Sequence, residues 1–451
     1  MLYNGEQSLP TQDTFIKVMS QTWHWAVYLT AIVGFLVLVY VSVSGDILKP
    51  LLGINPQAHW TSLIVRPSIL WATMGYLLLI FRTILWIRYK PSPRCDFDQA
   101  PFLTVVIPAY NEGSMVEQAI NSVASALYPS DRIEIIVVDD GSRDDTWLYM
   151  QKAVRRHPGM ITSIRFEENR GKRAALAEAF RIARGEIVTT IDSDSVIERD
   201  ALLEIVGPFR DSKIGAVAGK VVAFNRNRSF IPKMLHVRFV LSFDFLRAVQ
   251  SAYGTVYCCP GALSAYRTNV IRKVLNAWLN QTFMGEKCTY GEDRSLTNFI
   301  FSCGYNSVYQ RTAIVHTTIP ETYSKLCMMF LRWDRSYIKE EIRFAQLVWR
   351  RPYPARIFSA IDCFMTNLRY PVSYLTLGLL VYFSFQDPMT LLKVLFIIGF
   401  ISSLNMIYYL RSEQSWDCIY GVLYSYFAFF TLFWIFPYAL ATLRSRSWMT
   451  R

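Results

Sequence analysis

The chain has 451 residues, of which 52% are hydrophobic and 18% are charged. This composition is too apolar for an ordinary soluble enzyme and too charged for a protein buried wholly in a membrane, so we expect a soluble domain flanked by membrane helices. The net charge is +12, but no block of like charge resembles a nucleic-acid-binding arm, and we expect no nucleic-acid partner.

Two apolar segments come first in the chain, after a mostly polar segment of residues 1–22 that lacks the pattern of a signal peptide. Trp23–Ser44 and Ser68–Tyr89 are each long enough to cross a bilayer, so residues 23–90 are predicted to form two transmembrane helices. A pair of buried core helices is the alternative, and it is less favoured because neither segment has a polar face. Basic residues follow the second segment and predict that this end lies in the cytosol.

Residues 91–335 have the pattern of an α/β domain. Apolar runs predict strands, acidic or polar residues follow them, and amphipathic stretches predict helices between them. The predicted strands are Phe102–Pro108, Ile133–Val138 and Glu186–Ile191, and the predicted helices are Ser114–Ala126 and Arg173–Ala183. Such alternation indicates a mainly parallel sheet, whose ligands bind beyond the carboxyl ends of the strands. Eight cysteines without metal-binding spacing suit a reducing compartment for this domain.

The C-terminal part returns to membrane-like composition. Residues 336–362 are rich in Arg and aromatic residues and are predicted to form interfacial amphipathic helices. Residues 363–443 contain three further apolar segments, predicted as transmembrane or re-entrant helices, and Pro437 is predicted to break the last one. The three segments are Phe364–Phe385, Thr390–Leu410 and Cys418–Leu443. Three crossings place the C-terminus outside, whereas the basic residues of the tail, 444–451, favour the inside, so two topologies remain open.

Asp192 and Asp194 lie two residues apart after the third predicted strand. Carboxylates suit hard cations, and Mg²⁺ typically binds one or two of them together with substrate phosphates. An isolated Asp-x-Asp is a weak signal because acidic turns are common. A second acidic pair, Asp139-Asp140, ends the preceding strand and strengthens the prediction of a Mg²⁺ or Mn²⁺ site, although Asp-Gly-Ser is also ordinary turn chemistry.

Three further motifs have residue types that suit the binding of an anion, the acceptance of a proton or stacking against a ring. The stretch 169–173, which contains Lys172, opens a predicted helix and suits an anionic diphosphate, or else forms a solvated basic turn. Asp293 is positioned to deprotonate an acceptor hydroxyl, or else to cap the helix that follows. Arg332-Trp333 offers a guanidinium for phosphate and an indole for a sugar ring, or else belongs to an interfacial belt.

In this order and spacing, the acidic pairs, Gly-Glu-Asp293 and Arg332-Trp333 resemble the family-two inverting glycosyltransferases with a GT-A fold. The resemblance extends over most of the chain and is greatest to hyaluronan synthases and nodulation chitin-oligosaccharide synthases. The segments that carry it are Asn280–Gly285, Cys288–Asn298, Cys258–Arg267 and the tail Ser447–Arg451, which is similar to a W-G-T-R gating segment. It implies an α/β GT-A domain with a mixed, mainly parallel sheet, inserted between transmembrane and interfacial α-helices.

The resemblance also implies roles for individual residues. Uridine contacts would come from Asp139 and Asp140, and Asp293 would be the general base. The other implied contacts are nucleotide by Lys172, nucleotide and metal by Asp192 and Asp194, diphosphate by Arg332, Trp448 and Arg451, and acceptor by Trp333, Cys288 and Glu292.

Two departures from the family pattern concern the acceptor. The Gln that stands three residues before Arg-Trp in the family is Met329 here, and a thioether cannot supply the hydrogen bonds of an amide. The glycine of the W-G-T-R segment is Met449. Both changes bear on acceptor identity and processivity and leave the donor-binding motifs intact.

The resemblance therefore implies a multi-pass enzyme of the plasma (inner) membrane with a cytosolic catalytic domain. Its expected partners are a UDP-sugar donor, a growing polysaccharide and the lipid bilayer. Its expected donors are UDP-GlcNAc and UDP-glucuronate, as in hyaluronan synthesis. The alternatives are a chitin-oligosaccharide or other β-glucan-type synthase, a non-processive transferase to a lipid acceptor, and a catalytically inactive homologue that serves export or assembly.

Overall fold

The computed structural model describes residues 25–27, 29–30, 32–34, 36 and 59–444, with side chains from residue 70 in the helix that begins at His59. The strands are β1 (Leu103–Ala109), β2 (Ile133–Asp139), β3 (Ile161–Arg165), β4 (Ile187–Thr190), β5 (Ser195–Ile197), β6 (Ile214–Ala223), β7 (Ser264–Arg267), β8 (Thr282–Phe283), β9 (Glu286–Lys287) and β10 (Asn306–Thr317).

The helices from residue 59 onward are α1 (His59–Arg88), α2 (Met115–Ala124), α3 (Thr146–Arg156), α4 (Lys172–Ile182), α5 (Ala201–Val206), α6 (Phe230–Phe239), α7 (Leu246–Ala252), α8 (Thr268–Leu279), α9 (Glu292–Ser302), α10 (Tyr323–Leu347), α11 (Ala355–Gln386), α12 (Met389–Glu413), α13 (Ile419–Thr431) and α14 (Ile435–Ala441). A π-helical turn, Val240–Phe245, joins α6 to α7.

An eight-stranded sheet with the order β3-β2-β1-β4-β7-β6-β10-β5 forms the centre of the domain. Neighbouring strands are parallel except that β7 runs antiparallel to both β4 and β6, and β5 runs antiparallel to β10. Every residue of β1, β2 and β4 is buried, as expected for strands covered on both faces. The prediction of a mixed, mainly parallel α/β sheet is confirmed.

The carboxyl ends of β2 and β4 place the acidic motifs at one edge of this sheet. Both strands pair in parallel with β1, so their ends lie on the same side. Asp139 is the last residue of β2, and Asp192 follows β4 by two residues. The predicted strand and helix boundaries agree with the observed ones to within about two residues, because the buried apolar runs stop where the polar turns begin.

The described residues fall into two compact units. One contains residues up to 84 together with 368–430, and the other contains residues 85–367 together with 431–444. Within the first unit, the hydroxyl groups of Thr83 and Tyr408 lie 2.8 Å apart and join α1 to α12. Hydrogen-bonded polar pairs of this kind help helices associate within apolar surroundings.

Among the described residues, two helices are long and apolar enough to cross a membrane, namely Leu70–Arg88 within α1 and Met389–Glu413. Trp416–Thr431 and Ile435–Ala441 supply a third span if this pair, bent by 49°, is counted as one. The bend lies before Pro437, which occupies the first turn of α14, where its missing N–H leaves no hydrogen bond unmade. The predicted segment Trp23–Ser44 lies mostly outside the described residues.

The predicted boundary at residue 335 falls inside α10, which continues without a break from Tyr323 to Leu347. No Pro or Gly interrupts this stretch, and one face of it is buried along its whole length. The predicted transmembrane segment Phe364–Phe385 lies within α11, which contains Pro371 and is not among the helices that meet the length and hydropathy required for a span.

Arg351 anchors the connection between α10 and α11 to the α/β domain. Its side chain is 1% exposed and donates hydrogen bonds to the carbonyls of Tyr305 (2.6 Å) and Gly254 (2.7 Å). It also donates to the side-chain oxygens of Asn306 (2.9 Å) and Thr255 (3.1 Å). No carboxylate is among these partners, and burial lowers the pKa of Arg351 to about 10.

Replacing Arg351 with Met should lower the melting temperature of the detergent-solubilised protein by about 5–10 °C, because four hydrogen bonds from one buried side chain are lost. Thermal unfolding followed by intrinsic fluorescence measures the change. Arg350→Met is the matched control, since Arg350 is the exposed neighbour in the same segment. Equal melting temperatures for the two variants would contradict this account of Arg351.

Candidate active site

The turn after β2 holds two buried carboxylates. Asp139 Oδ1 accepts a hydrogen bond from the Ser142 N–H (2.9 Å), and Arg165 Nε lies 3.3 Å from its Oδ2. Asp140 Oδ1 accepts a hydrogen bond from the Arg170 N–H (2.8 Å). Burial raises the pKa of Asp140 to about 6, against the opposing effect of the peptide N–H groups of Arg170 and Gly171.

Gly141 allows this turn to pack against the segment that precedes α4. Its φ is +74°, and a Cβ atom there would lie 2.5 Å from the carbonyl carbon of Glu168. A side chain at position 141 would therefore force the two segments apart. The glycine of the Asp-Asp-Gly-Ser motif thus serves a close backbone approach as well as a turn.

Lys172 is the first residue of α4, and its ammonium group joins two of the predicted motifs. Its Nζ lies 2.5 Å from Asp192 Oδ1 and 3.3 Å from Glu292 Oε1. Burial disfavours the charged form of Lys172, but Asp192 and Glu292 outweigh this effect and raise its pKa. The lysine is therefore a fixed positive charge between one carboxylate from the turn after β4 and one from α9.

Asp194 and Asp192 flank Ser193 in the sequence but have different hydrogen-bond partners. Its Oδ1 accepts hydrogen bonds from the hydroxyls of Ser195 (3.3 Å) and Thr317 (3.4 Å). Hydroxyl groups of Ser195 and Thr317 and the Lys172 ammonium are thus among the partners of this Asp-Ser-Asp motif. Two carboxylates with oxygen-rich surroundings fit Mg²⁺ or Mn²⁺ when substrate phosphates complete the coordination.

Across residues 59–444 and the helical stretches before them, no cluster of three His, Cys, Asp or Glu residues has the arrangement of a metal cage. Mg²⁺ is usually held by one or two carboxylates together with substrate phosphates, so a pair such as Asp192 and Asp194 fits that mode of binding.

Asp293 lies in the first turn of α9, and its environment favours the protonated acid. Burial and the charge of Glu292 raise the pKa of Asp293, against the effects of the Arg294 N–H and Lys172. Cys258 Sγ donates a hydrogen bond to Asp293 Oδ2 at 3.4 Å. Because a thiol is a weak donor, this contact is easily replaced by a hydroxyl group.

Gly291 sets the start of α9 against α10. Its φ is +79°, and a Cβ atom there would overlap the hydroxyl of Ser336 on α10. Gly291 is also the N-cap residue of α9. Asp293 is the second residue of the helix and does not cap it.

Glu292 faces the cations of the site. Its burial disfavours ionisation, but Lys172, Arg332 and Arg173 outweigh that effect and lower its pKa. Neighbouring residues Glu292 and Asp293 are thus shifted in opposite directions. The pair provides one firmly ionised carboxylate and one whose proton affinity is increased, as at sites that move protons.

A pocket with about 290 Å³ of empty space, part of it open to solvent, lies among these groups. Its lining includes Lys172, Asp192, Gly261, Glu292 and Asp293. The structure therefore brings the strand-end motif, the basic helix start and the Gly-Glu-Asp motif to one pocket. Asp139 and Asp140 border the same segment, 166–172, that delivers Lys172.

Arg332 and Trp333 lie on α10 beside this region. The charge of Arg332 acts on Glu292, and Trp333 is half-buried in an aromatic cluster. Its ring centroid is 5.7 Å from that of Phe330 and 6.0 Å from those of Phe239 and Phe243. The indole is therefore held by rings from α6, the π-helical turn and α10, and part of its surface stays accessible.

Cys288 is buried, and its N–H donates a hydrogen bond to the carbonyl of Gln281 (3.0 Å). Burial raises the pKa of its thiol, partly offset by Lys339 and Arg173. The cysteine that contacts Asp293 is Cys258. Trp448 and Arg451 lie outside the described residues.

Sequence reasoning did not single out Cys258 or Gly261 as parts of the site. A Cβ atom at Gly261 would lie 2.8 Å from Lys172 Nζ and 3.0 Å from Asp192 Oδ1. Both residues belong to the stretch Cys258–Arg267, which the resemblance included. Its closeness to the pocket follows from the antiparallel pairing of β7 with β4, which the apolar pattern did not reveal.

A family model described as glycosyl transferase family 2 matches residues 104–275. The chain is 31% identical over 400 residues to a hyaluronan synthase of Streptococcus pyogenes, covering 84% of this chain and 91% of that protein. It is 32% identical over 241 residues to an N-acetylglucosaminyltransferase of Azorhizobium caulinodans, covering 53% of this chain and 60% of that protein.

The match to an N-acetylglucosaminyltransferase of Rhizobium meliloti, at 31% identity, covers 61% of this chain and 65% of that protein. The chain thus spans less than two thirds of the length of these two transferases. Among solved structures, a mannosyltransferase from Pyrobaculum calidifontis, in complex with GDP-Man and Mn²⁺, has a TM-score of 0.51 at 20% identity and covers 83% of this chain and 95% of its own. This likeness concerns the fold. On the extent of the match to the streptococcal synthase, the chain belongs to glycosyl transferase family 2.

Proposed function

We propose that this protein is a processive, inverting polysaccharide synthase that transfers sugar from UDP-GlcNAc, and from UDP-glucuronate as a second donor, to a growing chain. The observation that carries the proposal is the meeting of Lys172, Asp192 and Asp293 at one pocket. The 31% identity to a hyaluronan synthase, over most of both chains, supports the choice of product.

For the donor, we assign Asp139 and Asp140 to the uridine and Lys172 and Arg332 to the diphosphate. Lys172 already lies between two carboxylates, so donor binding exchanges part of its contact with Asp192 for contact with phosphate oxygens. Asp192 and Asp194 would hold Mg²⁺ or Mn²⁺. When bound, the cation supplies charge stabilisation for the departing diphosphate.

In the transfer step, Asp293 takes the proton of the acceptor hydroxyl as that oxygen bonds to the anomeric carbon. The bond from the anomeric carbon to the diphosphate oxygen breaks, and UDP leaves with the electron pair. Attack from the face opposite the diphosphate inverts the configuration of the sugar. The raised pKa of Asp293 makes it a stronger base than an exposed aspartate.

For the acceptor, we assign Trp333 as the floor, with Glu292 and Cys288 as neighbouring contacts. An indole face suits the apolar face of a pyranose ring. Trp448 and Arg451 are proposed to close over the diphosphate. The apolar helices support a multi-pass protein of the plasma (inner) membrane, with the catalytic unit in the cytosol and the product leaving through the membrane helices.

Met329 favours a second candidate, a non-processive transferase to a lipid acceptor. It takes the place of the family's glutamine and is half-buried one turn before Trp333 on α10. A thioether cannot hydrogen-bond to an acceptor sugar as an amide does. A chitin-oligosaccharide or other β-glucan-type product is the further alternative within the same chemistry.

We expect the purified protein with Mg²⁺ or Mn²⁺ to release UDP from UDP-GlcNAc and UDP-glucuronate together and to form a long polymer. UDP release from each donor, singly and in pairs, and gel sizing of radiolabelled product measure this. Turnover with UDP-GlcNAc alone would indicate a chitin-like product. A single-sugar lipid adduct would contradict the polymer proposal and support the second candidate.

Asp293→Asn should reduce sugar transfer by about 10²- to 10⁴-fold, because the acceptor loses its base. UDP binding, measured by calorimetry, should stay close to that of the unaltered protein, since Asp293 is assigned to the acceptor step. Asp131→Asn, the same change at a carboxylate 79% exposed, is the control. Full transfer activity in Asp293→Asn would remove Asp293 from the mechanism.

Asp140→Asn should make the donor-free protein more stable at about pH 8. The pKa of Asp140 is about 6 in the fold against an ordinary 3.8, so the fold binds this proton more tightly than the unfolded chain does. Its stabilising effect is complete below 3.8 and is lost as the pH rises through about 6. Asparagine removes this loss and keeps the acceptor for the Arg170 N–H.

Melting temperatures of Asp140→Asn and of the unaltered protein, measured from about pH 4 to about pH 8, test this pH dependence. The gain should grow over that interval, and the variant should bind UDP more weakly. Asp145→Asn, at an exposed carboxylate in the same turn, serves as the control. A gain that is equal at every pH would show that the charge of Asp140 is not its source.

A further inference from the structure

We propose that Gln281 and Glu340 form a positioning pair that fixes Asp293 relative to Lys172 and to Arg332-Trp333. The inference rests on the proposed function, in which these groups act on donor and acceptor. Neither Gln281 nor Glu340 lines the pocket, so their effect is exerted through the helices they join.

The side-chain amide of Gln281 bonds to three of the elements that build the site. Its Oε1 accepts hydrogen bonds from Arg173 Nη1 on α4 (2.9 Å) and from the Ser295 hydroxyl on α9. Its Nε2 donates to Glu340 Oε1 on α10 (2.6 Å). Since Arg173 can only donate and the carboxylate of Glu340 accepts, the orientation of the amide is fixed by its partners.

Glu340 completes the connection between α9 and α10. Its Oε2 accepts a hydrogen bond from Asn298 Nδ2 on α9 (2.8 Å), and the same Nδ2 donates to its main-chain carbonyl (3.0 Å). Gln281, Glu340, Ser295 and Asn298 are all at most 6% exposed. Buried bonds of this kind are strong constraints, because breaking one leaves a polar group without water to replace its partner.

Arg173 and Trp278 connect the network to the proposed catalytic residues. Arg173 directly follows Lys172 and also donates to the Trp278 carbonyl (2.8 Å). The indole Nε1 of Trp278 donates to the carbonyl of Glu292, the residue before Asp293 (3.2 Å). The network therefore joins the residues next to Lys172 and Asp293 in the sequence.

Glu340 can affect Arg332 and Trp333 because all three residues lie on α10. Glu340 lies two turns after Arg332 and Trp333 on one unbroken helix. A shift of α10 against α9 would therefore move the diphosphate and acceptor contacts away from Asp293. Because a misplacement of about 1 Å costs about 10²-fold in rate, a network remote from the reacting atoms can control the transfer step.

Exchanging the two side chains tests the pair, because the exchange keeps one amide and one carboxylate in the network. Gln281→Glu alone places a carboxylate against the carboxylate of Glu340. Glu340→Gln alone leaves one amide oxygen at position 340 to accept from two donors, Gln281 Nε2 and Asn298 Nδ2. In the double variant, the amide at position 340 donates to the carboxylate at 281 and accepts from Asn298. Every bond of the original network is then possible again, with the charge moved beside Arg173.

We expect each single variant to lower kcat by about 10²-fold with little change in the KM for the UDP-sugar. The double variant should recover kcat to within about threefold of the unaltered enzyme. Misplacement of the acceptor base affects the transfer step and not donor binding, which is why the two constants should separate. A purely structural role would instead lower the folded fraction and affect all readouts together.

Gln310→Glu is the matched control. Gln310 is also fully buried, its Nε2 donates to Glu204 Oε2 (3.0 Å), and neither residue lines the pocket. The substitution creates the same conflict of carboxylates between β10 and α5. It should lower the melting temperature without separating kcat from KM.

A second readout keeps the test independent of turnover. Cys258 contacts Asp293, so the rate at which a thiol reagent labels Cys258, followed by peptide mass spectrometry, reports on the start of α9. Labelling should be at least severalfold faster in each single variant and return to the original rate in the double variant. Gln310→Glu should leave it unchanged.

The outcomes separate this inference from the proposed function. If the unaltered protein releases UDP from no donor, the proposed function fails, and the labelling rates still decide whether the pair positions α9. Unchanged kcat and labelling in the single variants, or a double variant as impaired as the singles, would overturn the positioning role.

Discussion

The ion pair between Lys172 and Asp192 is the interaction on which the candidate site depends. Lys172 Nζ lies 2.5 Å from Asp192 Oδ1 and 3.3 Å from Glu292 Oε1. The carboxylates of Asp192 and Glu292 repel each other, and each loses hydration in the pocket. The lysine offsets both costs, and it joins α4, the end of β4 and the start of α9. Any account of donor binding must therefore include what becomes of this charge.

The rest of the fold delivers groups to that ion pair from distant parts of the chain. Parallel pairing of β1 with β2 and β4 brings the acidic turns to one edge. The close approach at Gly291 sets α9 against α10, and the bonds of Gln281 fix α4 relative to both. The site is thus built on the ends of buried elements, and buried packing allows little freedom for any of them to move alone.

Much of the scaffold was predictable from the sequence because burial on both faces leaves continuous apolar runs. The strands that end at Asp139 and near Asp192 were found in this way, and the turn motifs marked their ends. Antiparallel β7 was not found, because four residues give too short a pattern, and with it the closeness of Gly261 to Lys172 was missed. Contacts between residues far apart in sequence, such as Cys258 with Asp293, leave no local signal at all.

The boundary at residue 335 shows a different limit of sequence reasoning. A change in composition from α/β domain to basic-aromatic segment is real, yet α10 continues through it because nothing in the sequence stops the helix. Composition describes the surroundings of a segment, whereas helix ends depend on caps, glycines and prolines. Helix α10 therefore lies wholly within the unit that contains the sheet, although its sequence becomes rich in basic and aromatic residues toward its end.

The bare backbone at Gly261 has a consequence for how the pocket can vary among related chains. A methyl group at this position would compete for space with the flexible end of Lys172 before it met any rigid atom. The smallest possible side chain would thus act on charge and not on packing, by pushing the ammonium away from its carboxylate. The absence of a side chain at position 261 leaves room for the contact between Lys172 and Asp192. A substitution of Gly261 would therefore alter anion affinity while leaving the fold intact.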